Sequence, residues 1–180
     1  MRRARPSDQQ VLCGVDVVAD GGDAERRASI GRWCESGAAV VAEGEDGLLG
    51  YCVVEYTFFG QGFVAMLMVA PSARRRGVGR RLLDAAASSC TTEKLFTSTN
   101  VSNRPMQGLL ERAGWLPVGL LHGLDAGDPE LFYLCPRRGR GPEWTVPGGF
   151  GRTIRGAHAY KCGYLSIAVR CPAVNMARSM

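Results

Sequence analysis

"FVAMLMVAPSARRRGVGRRLLDAAASS", residues 63–89, carries the decisive pattern of this chain. Phe63 to Ala70 is apolar without alternation, which reads as a central strand covered on both faces. Pro71 ends it, because proline removes a ladder donor. Five arginines, Arg74, Arg75, Arg76, Arg80 and Arg81, then surround Gly77 and Gly79. From about Gly79 to Ser89 the spacing of Leu82, Leu83 and Ala86 predicts a helix with one apolar face. A glycine turn between a buried strand and a helix N-terminus aims backbone N–H groups outward, and the helix dipole adds positive potential there. Three partners fit such a basic turn: nucleic acid, a dinucleotide, or another phosphate. The dinucleotide fingerprint needs a third glycine where Leu82 stands, and the Gly-Lys-Ser/Thr of a nucleotide-binding P-loop is absent. What remains is a cradle for a pyrophosphate-bearing molecule, with glycines admitting the phosphates and arginines supplying counter-charge.

The surrounding composition agrees. The chain has 180 residues, 46% apolar and 22% charged, which suits one globular domain with a sizeable core. No apolar run approaches the roughly 20 residues that span a bilayer. The start, "MRRARPSDQQVLCG", is basic without an apolar stretch, so the expected compartment is the cytoplasm. Seven cysteines without a Cys-x-x-Cys read as thiols rather than disulfides or a metal site, and no metal is expected. The net charge of +5 is unevenly placed. Residues 1–135 carry 14 Lys and Arg against 16 Asp and Glu, whereas residues 136–180 carry 8 against 1. The basicity therefore belongs to the last quarter, and the main part lacks the wide basic face that nucleic acid requires.

Outward from the central stretch, the order is helix, helix, three antiparallel strands, helix, strand, helix, two strands. A short helix is expected within 9–20. "GDAERRASIGRWCES" is a second helix, ending near Gly37. "AAVVAE", "LLGYCVVEYTFF" and the apolar strand follow, joined by turns at "EDG" and "GQG". After the Arg/Gly helix come the strand "KLFTSTN", a helix in "SNRPMQGLLERAGW" with Pro105 in its first turn, and the strands "LPVGLL" and "ELFYLC". The expected fold is α/β, with a mixed, mostly antiparallel central sheet flanked by helices. The domain occupies residues 1–135. Residues 136–180 read as a basic, Gly/Arg-rich, poorly ordered tail, with "YLSIAVRC" as the alternative of an added strand.

Arg74-x-x-Gly77-x-Gly79 after "LMVAP" resembles the Q/R-x-x-G-x-G/A signature of the GNAT superfamily of acetyl-CoA-dependent N-acetyltransferases. "NRPMQGLLERAGW" is similar to that family's second cofactor segment, with Trp115 in its closing aromatic place. "FFGQGF" and "LDAGDPELFY" are similar to segments of small bacterial members. The resemblance covers residues 2 to 135. It implies a GNAT-like fold and acetyl-CoA as co-substrate. Arg74, Arg75, Arg76, Gly77, Val78, Gly79 and Arg80 would hold the pyrophosphate. Asn103 would meet the pantetheine amides, and the main chain of Met68 and Val69 would meet the pantetheine arm and the thioester.

Acetyl transfer needs an oxyanion acceptor, a base for the amine proton and help for the leaving thiolate. Glu55 is the carboxylate within the apolar strand "YCVVEY" and is the candidate base; half-burial raises a carboxyl's proton affinity, which suits the task. Phe58 and Phe59, beside a Gly-Gln-Gly turn, are candidates to line the acceptor pocket. For the acid the chain departs from the family, because Leu110 stands where many members carry Tyr; Tyr133 and Ser102 are the substitutes within reach of the pattern. The resulting expectation is an N-acetyltransferase acting by direct attack of a primary amine, on a small molecule or a protein, as monomer or homodimer. The rivals are a catalytically weak acyl-CoA-binding module and a nucleic-acid-associated protein acting through the tail.

Overall fold

The computed structural model describes residues 1–45 and 47–136. The expectations for residues 137–180 lie outside the described residues.

Seven strands form one sheet: β1 (Arg2–Arg3), β2 (Ala39–Gly44), β3 (Gly47–Phe58), β4 (Gln61–Val69), β5 (Leu95–Asn100), β6 (Leu116–Leu121) and β7 (Glu130–Leu134), in the order β1-β2-β3-β4-β5-β7-β6. All neighbours are antiparallel except β4 and β5. The helices are α1 (Gln9–Val15), α2 (Val17–Asp20), α3 (Ala24–Ser36), α4 (Val78–Ser89) and α5 (Arg104–Arg112). No helix among the described residues is long and apolar enough to cross a membrane.

Most expected elements fall where the pattern put them, and the differences have local causes. The single helix expected within 9–20 is two, because Asp16 leaves the helical region (ψ 109°) and turns its carboxylate back to cap α2, accepting from the N–H groups of Val18 and Ala19. The two-residue β1 carries no pattern of its own. It is fixed by Arg2, whose guanidinium forms a fork with Asp8 at 2.7 and 3.0 Å.

The sheet is filled on both faces. One face packs against α4 and α5 through Cys52, Val54, Val64, Val78, Leu82, Leu83, Ala86, Leu95, Leu110, Trp115 and Tyr133. Burial pushes the Cys52 thiol up to about 12, so it is a core side chain and not a nucleophile. The other face packs against α1–α3 through Leu12, Ala19, Ile30, Cys34, Val41, Tyr51 and Val53, with Met66 and Met68 half-buried at its rim.

The strand expected to be covered throughout is covered only at its start. β4 pairs with β5 over Gly62–Val64 alone, opposite Leu95–Thr97. Beyond Val64 the two strands part. The register of β4 on β3 shifts between Val53 and Val54, leaving Ala65 as an inserted residue. Such a bulge bends and twists its strand, which accounts for the parting. From Ala65 to Val69 every residue is half-exposed.

Candidate active site

The parting of β4 from β5 leaves a wedge whose β4 wall is main chain. The Ala70 N–H donates to the Leu49 carbonyl at 2.9 Å, and Met68 stands opposite Tyr51 in the same ladder. Alternation in an antiparallel pair therefore turns the peptide groups of Met68 and Met66 towards β3, and those of Leu67 and Val69 into the wedge. Consistent with this, the Val69 carbonyl is reached from outside the sheet by Arg74 Nε at 3.3 Å. Of the two expected backbone contacts, Val69 faces the wedge. Met68 does not, because its N–H and C=O belong to the β3 ladder, and Leu67 takes that position. Apolar identity gives no hint of such a main-chain role; only the register does.

At the open end of the wedge lies the Arg/Gly turn. Pro71–Ala73 form one 3₁₀ turn, Arg75 is left-handed (φ 62°), and Gly77 (φ 78°) starts α4. No side chain among the described residues caps α4, so its first N–H groups point to solvent. A Cβ on Gly77 would meet nothing within 4 Å; that side of the turn is open space. Gly79 has a different reason: a Cβ there would lie 3.0 Å from Leu109 of α5, so glycine lets the two helices close. Arg75 and Arg76 extend into solvent beside the turn. Arg80 does not join them. Its guanidinium pairs with Asp84 at 3.0 Å and donates to the Arg112 carbonyl at 2.9 Å, because residues four apart share a helix side. Only its main chain is left to the turn. Val78 supplies an N–H and buries its side chain in the core.

Asn103 caps α5, its Oδ1 accepting from the Met106 N–H at 3.2 Å. Its Nδ2 has no hydrogen-bond partner among the described residues and remains available as a donor. Leu110 is fully buried in the core. The Ser102 hydroxyl is bonded to Asp128. Tyr133 lies on the α4/α5 face, and burial raises its proton affinity.

The α1–α3 face holds the buried charged side chains. Glu55, on β3, accepts from the Trp33 indole N–H at 2.8 Å. Directly opposite it is Phe63, so both project on this face. Phe58 sits among Phe63, Phe96 and Phe132, with ring centroids 4.8, 5.4 and 5.7 Å away. All four rings are half-buried and lie where the helices α1–α3 no longer cover the sheet. Phe59 is 88% exposed on the hairpin turn and contributes only its edge to Phe58.

Sequence reasoning missed one cluster here. Asp16 is wholly buried. It accepts from Val18 N–H, Ala19 N–H and, at 2.6 Å, the Tyr51 hydroxyl, and it faces Arg26 Nη1 at 3.8 Å. Arg26 Nη1 also donates to Met66 Sδ at 3.0 Å. Burial, and next to it the hydrogen bond to Asp16, holds the Tyr51 phenol well above its ordinary value, so it stays protonated as a donor. One signal was present: Arg26, Ile30 and Trp33 fall at i, i+4 and i+7, which puts the arginine on the helix face that packs on the sheet.

A bulged central strand that parts from its parallel neighbour, followed by an uncapped, arginine-flanked helix start, defines a mixed α/β architecture with an open wedge in its sheet. Residues 16–115 match the model of the acetyltransferase (GNAT) family, and the chain belongs to that family of acyltransferases. A GNAT-family acetyltransferase from Bacillus cereus is 31% identical, with a TM-score of 0.69, over 73% of this chain and 92% of that one. A putative GNAT acetyltransferase from Desulfovibrio desulfuricans is 24% identical over 74% and 95%, with a TM-score of 0.62. The diaminobutyrate acetyltransferase of Paenibacillus lautus, solved with L-2,4-diaminobutyric acid and coenzyme A, shares the fold at 17% identity and a TM-score of 0.60, over 75% and 93%. None of the curated proteins matches the chain.

Proposed function

We propose that this protein transfers the acetyl group of acetyl-CoA to a primary amine by direct attack. The observation that carries the reading is the wedge. Leu67 and Val69 turn peptide groups into it, with only the Val69 carbonyl taken by Arg74 among the described residues, and it ends at an uncapped helix start with open space at Gly77. These N–H donors and the Leu67 carbonyl acceptor suit an extended, amide-bearing, diphosphate-ended molecule. Arg75, Arg76 and the N–H groups from Gly77 to Arg80 would hold the diphosphate. Val69 and Asn103 Nδ2 would hold the amides. The bound molecule supplies a thioester; the amine nitrogen forms a C–N bond to its acyl carbon, the C–S bond breaks, and the amine proton leaves.

Within that chemistry the Leu67 N–H is the donor for the developing oxyanion. Glu55 is the base. It stands opposite Phe63, four residues along β4 from Leu67, so about 13 Å of strand separates them. A proton therefore reaches Glu55 through water. Trp33 fixes the carboxylate and leaves its second oxygen to that water. Tyr133 is the remaining hydroxyl for the thiolate, since Leu110 has no proton and Ser102 is committed to Asp128.

The burial of Leu110 favours one second reading, an acyl-CoA-binding module with little turnover. Acetyl-CoA protection against heating and thiol release across an amine panel separate the two. The transferase reading expects both. Protection without amine-dependent thiol release leaves the binding module, and the absence of both sinks the assignment.

A further inference from the structure

The polar cluster on the α1–α3 face has more donors than it uses. Asp16 is saturated: two peptide N–H groups, a phenol and a guanidinium surround a carboxylate with no exposure at all. It is out of reach of any ligand. Arg26 is not saturated. Its side chain is about a quarter exposed at 24%, its Asp16 contact is long, and its other partners are the Tyr51 hydroxyl and a thioether, a weak acceptor. Its contacts to Asp16 and to Met66 both use Nη1. Guanidinium groups are built to offer two parallel donors to a carboxylate, and here that edge is left over.

Position gives this edge a meaning. Arg26 rests on Met66, the neighbour in sequence of Leu67, whose N–H faces the wedge. Met66 and Phe63 share one face of β4 across the bulge at Ala65. The platform of Phe58, Phe63, Phe96 and Phe132 therefore begins about 10 Å of strand away from the guanidinium, on the same face. A cation and an aromatic floor flank the place where an amine must stand to attack.

We infer that the acceptor is an amine carrying both a carboxylate and a large apolar body, most simply an aromatic α-amino acid, with its carboxylate on Arg26 and its ring on the phenylalanine platform. This rests on the transferase reading above and adds the substrate class. Asp16 and Tyr51 are positioning residues in it. They hold the guanidinium against the sheet, and the buried carboxylate offsets its charge when no substrate is bound.

The test compares kcat/KM of the full-length enzyme for L-phenylalanine, phenethylamine, which lacks the carboxylate, and L-alanine, which lacks the ring. L-phenylalanine should exceed each by about 10- to 100-fold, the scale of a charge-assisted pair or of a buried ring. In Arg26→Gln the advantage over phenethylamine should fall to near one while that over L-alanine persists; Phe132→Ala should do the reverse. Arg26→Lys, which keeps a charge beside Asp16, should keep part of the preference. Should Arg26→Gln not fold, competition in the unaltered protein decides: 3-phenylpropionate should inhibit phenethylamine acetylation competitively, and 1-propylbenzene, without the carboxylate, should not. Equal turnover of L-phenylalanine and phenethylamine overturns the inference and leaves the transferase reading intact. If no amine is acetylated, the transferase reading fails; L-phenylalanine raising the melting temperature of the coenzyme A complex would then still support the site, and no shift would refute it.

Discussion

Under α4 and α5 the sheet buries uncharged side chains, Leu82, Leu83, Leu95, Leu110 and Trp115 with Thr97 and Tyr133 among them. Under α1–α3 it buries Asp16 and Tyr51, holds Arg26 against Met66, and fixes Glu55 through Trp33. The first face backs a wedge whose partners are main-chain groups, and a smooth core is enough to hold main chain in place. On the proposed function the second face borders the place where an acceptor must be recognised, which takes side chains, and polar side chains near a core must be tied to one another. On that proposal the contrast separates two tasks: binding a molecule common to a whole family, and choosing the molecule that receives its acyl group.

The largest effect should come from the polar face. Asp16→Ala removes a cap from α2 and leaves the Tyr51 hydroxyl and the Arg26 guanidinium without their partner. Loss of one member of a buried ionic cluster costs about 3–5 kcal/mol. Urea unfolding should show that loss, and Leu82→Val on the other face should cost about 1 kcal/mol. A mild Asp16→Ala would mean that the cluster is not what holds the helices to the sheet.

Gly77→Asp tests the main-chain side. The turn has room for a Cβ, and Asp tolerates left-handed φ better than most residues, so the fold should survive. A carboxylate placed about 4 Å from a phosphate should lower acetyl-CoA affinity by about 10²-fold or more. Thermal protection by acetyl-CoA would measure it. Gly79→Asp should weaken binding too, and should also destabilise, because its Cβ meets Leu109. Undiminished protection in both variants would remove the cradle from the turn.

Glu55→Gln should lower turnover by about 10²-fold, the usual scale for a general base, with acetyl-CoA affinity unchanged. Activity that remains should climb with pH as free amine accumulates. An unchanged rate and pH profile would return proton removal to bulk solvent and leave the polar face with recognition alone.

The smallest effect lies at the N-terminal edge, remote from both tasks. Hydrogen bonds from Arg2 hold the Asp8 carboxyl below its ordinary value near 3.8. A carboxyl depressed on folding stabilises at pH values above its unfolded range, and that stability disappears as pH falls through the folded value. Arg2→Met should therefore cost about 1–2 kcal/mol at neutral pH, with the gap to the unaltered protein closing below about pH 4. A gap independent of pH would make the contact one of packing only.

The sequence by itself determined the class of fold and singled out the turn proposed as the cradle. Periodicity of 3.6 marked α3, α4 and α5; an unbroken apolar run marked β4; and the Arg/Gly turn is a contiguous stretch whose chemistry is local. Contiguity made it legible, because a phosphate on a helix start needs only neighbouring N–H groups. Tertiary structure alone decided the rest. That β4 leaves β5 after Val64 depends on one inserted residue, Ala65, and it exchanges Met68 for Leu67 as the main chain facing the wedge. Arg80 reads as one more cradle arginine until Asp84 and the Arg112 carbonyl draw it down the helix. Arg26, Asp16, Tyr51 and Met66 come from four elements, and Phe58, Phe63, Phe96 and Phe132 from four strands. Each is ordinary in its own segment. Their meaning lies in long-range contacts, which form only when the chain closes on itself, and the helical spacing of Arg26 with Ile30 and Trp33 is the one local trace they leave.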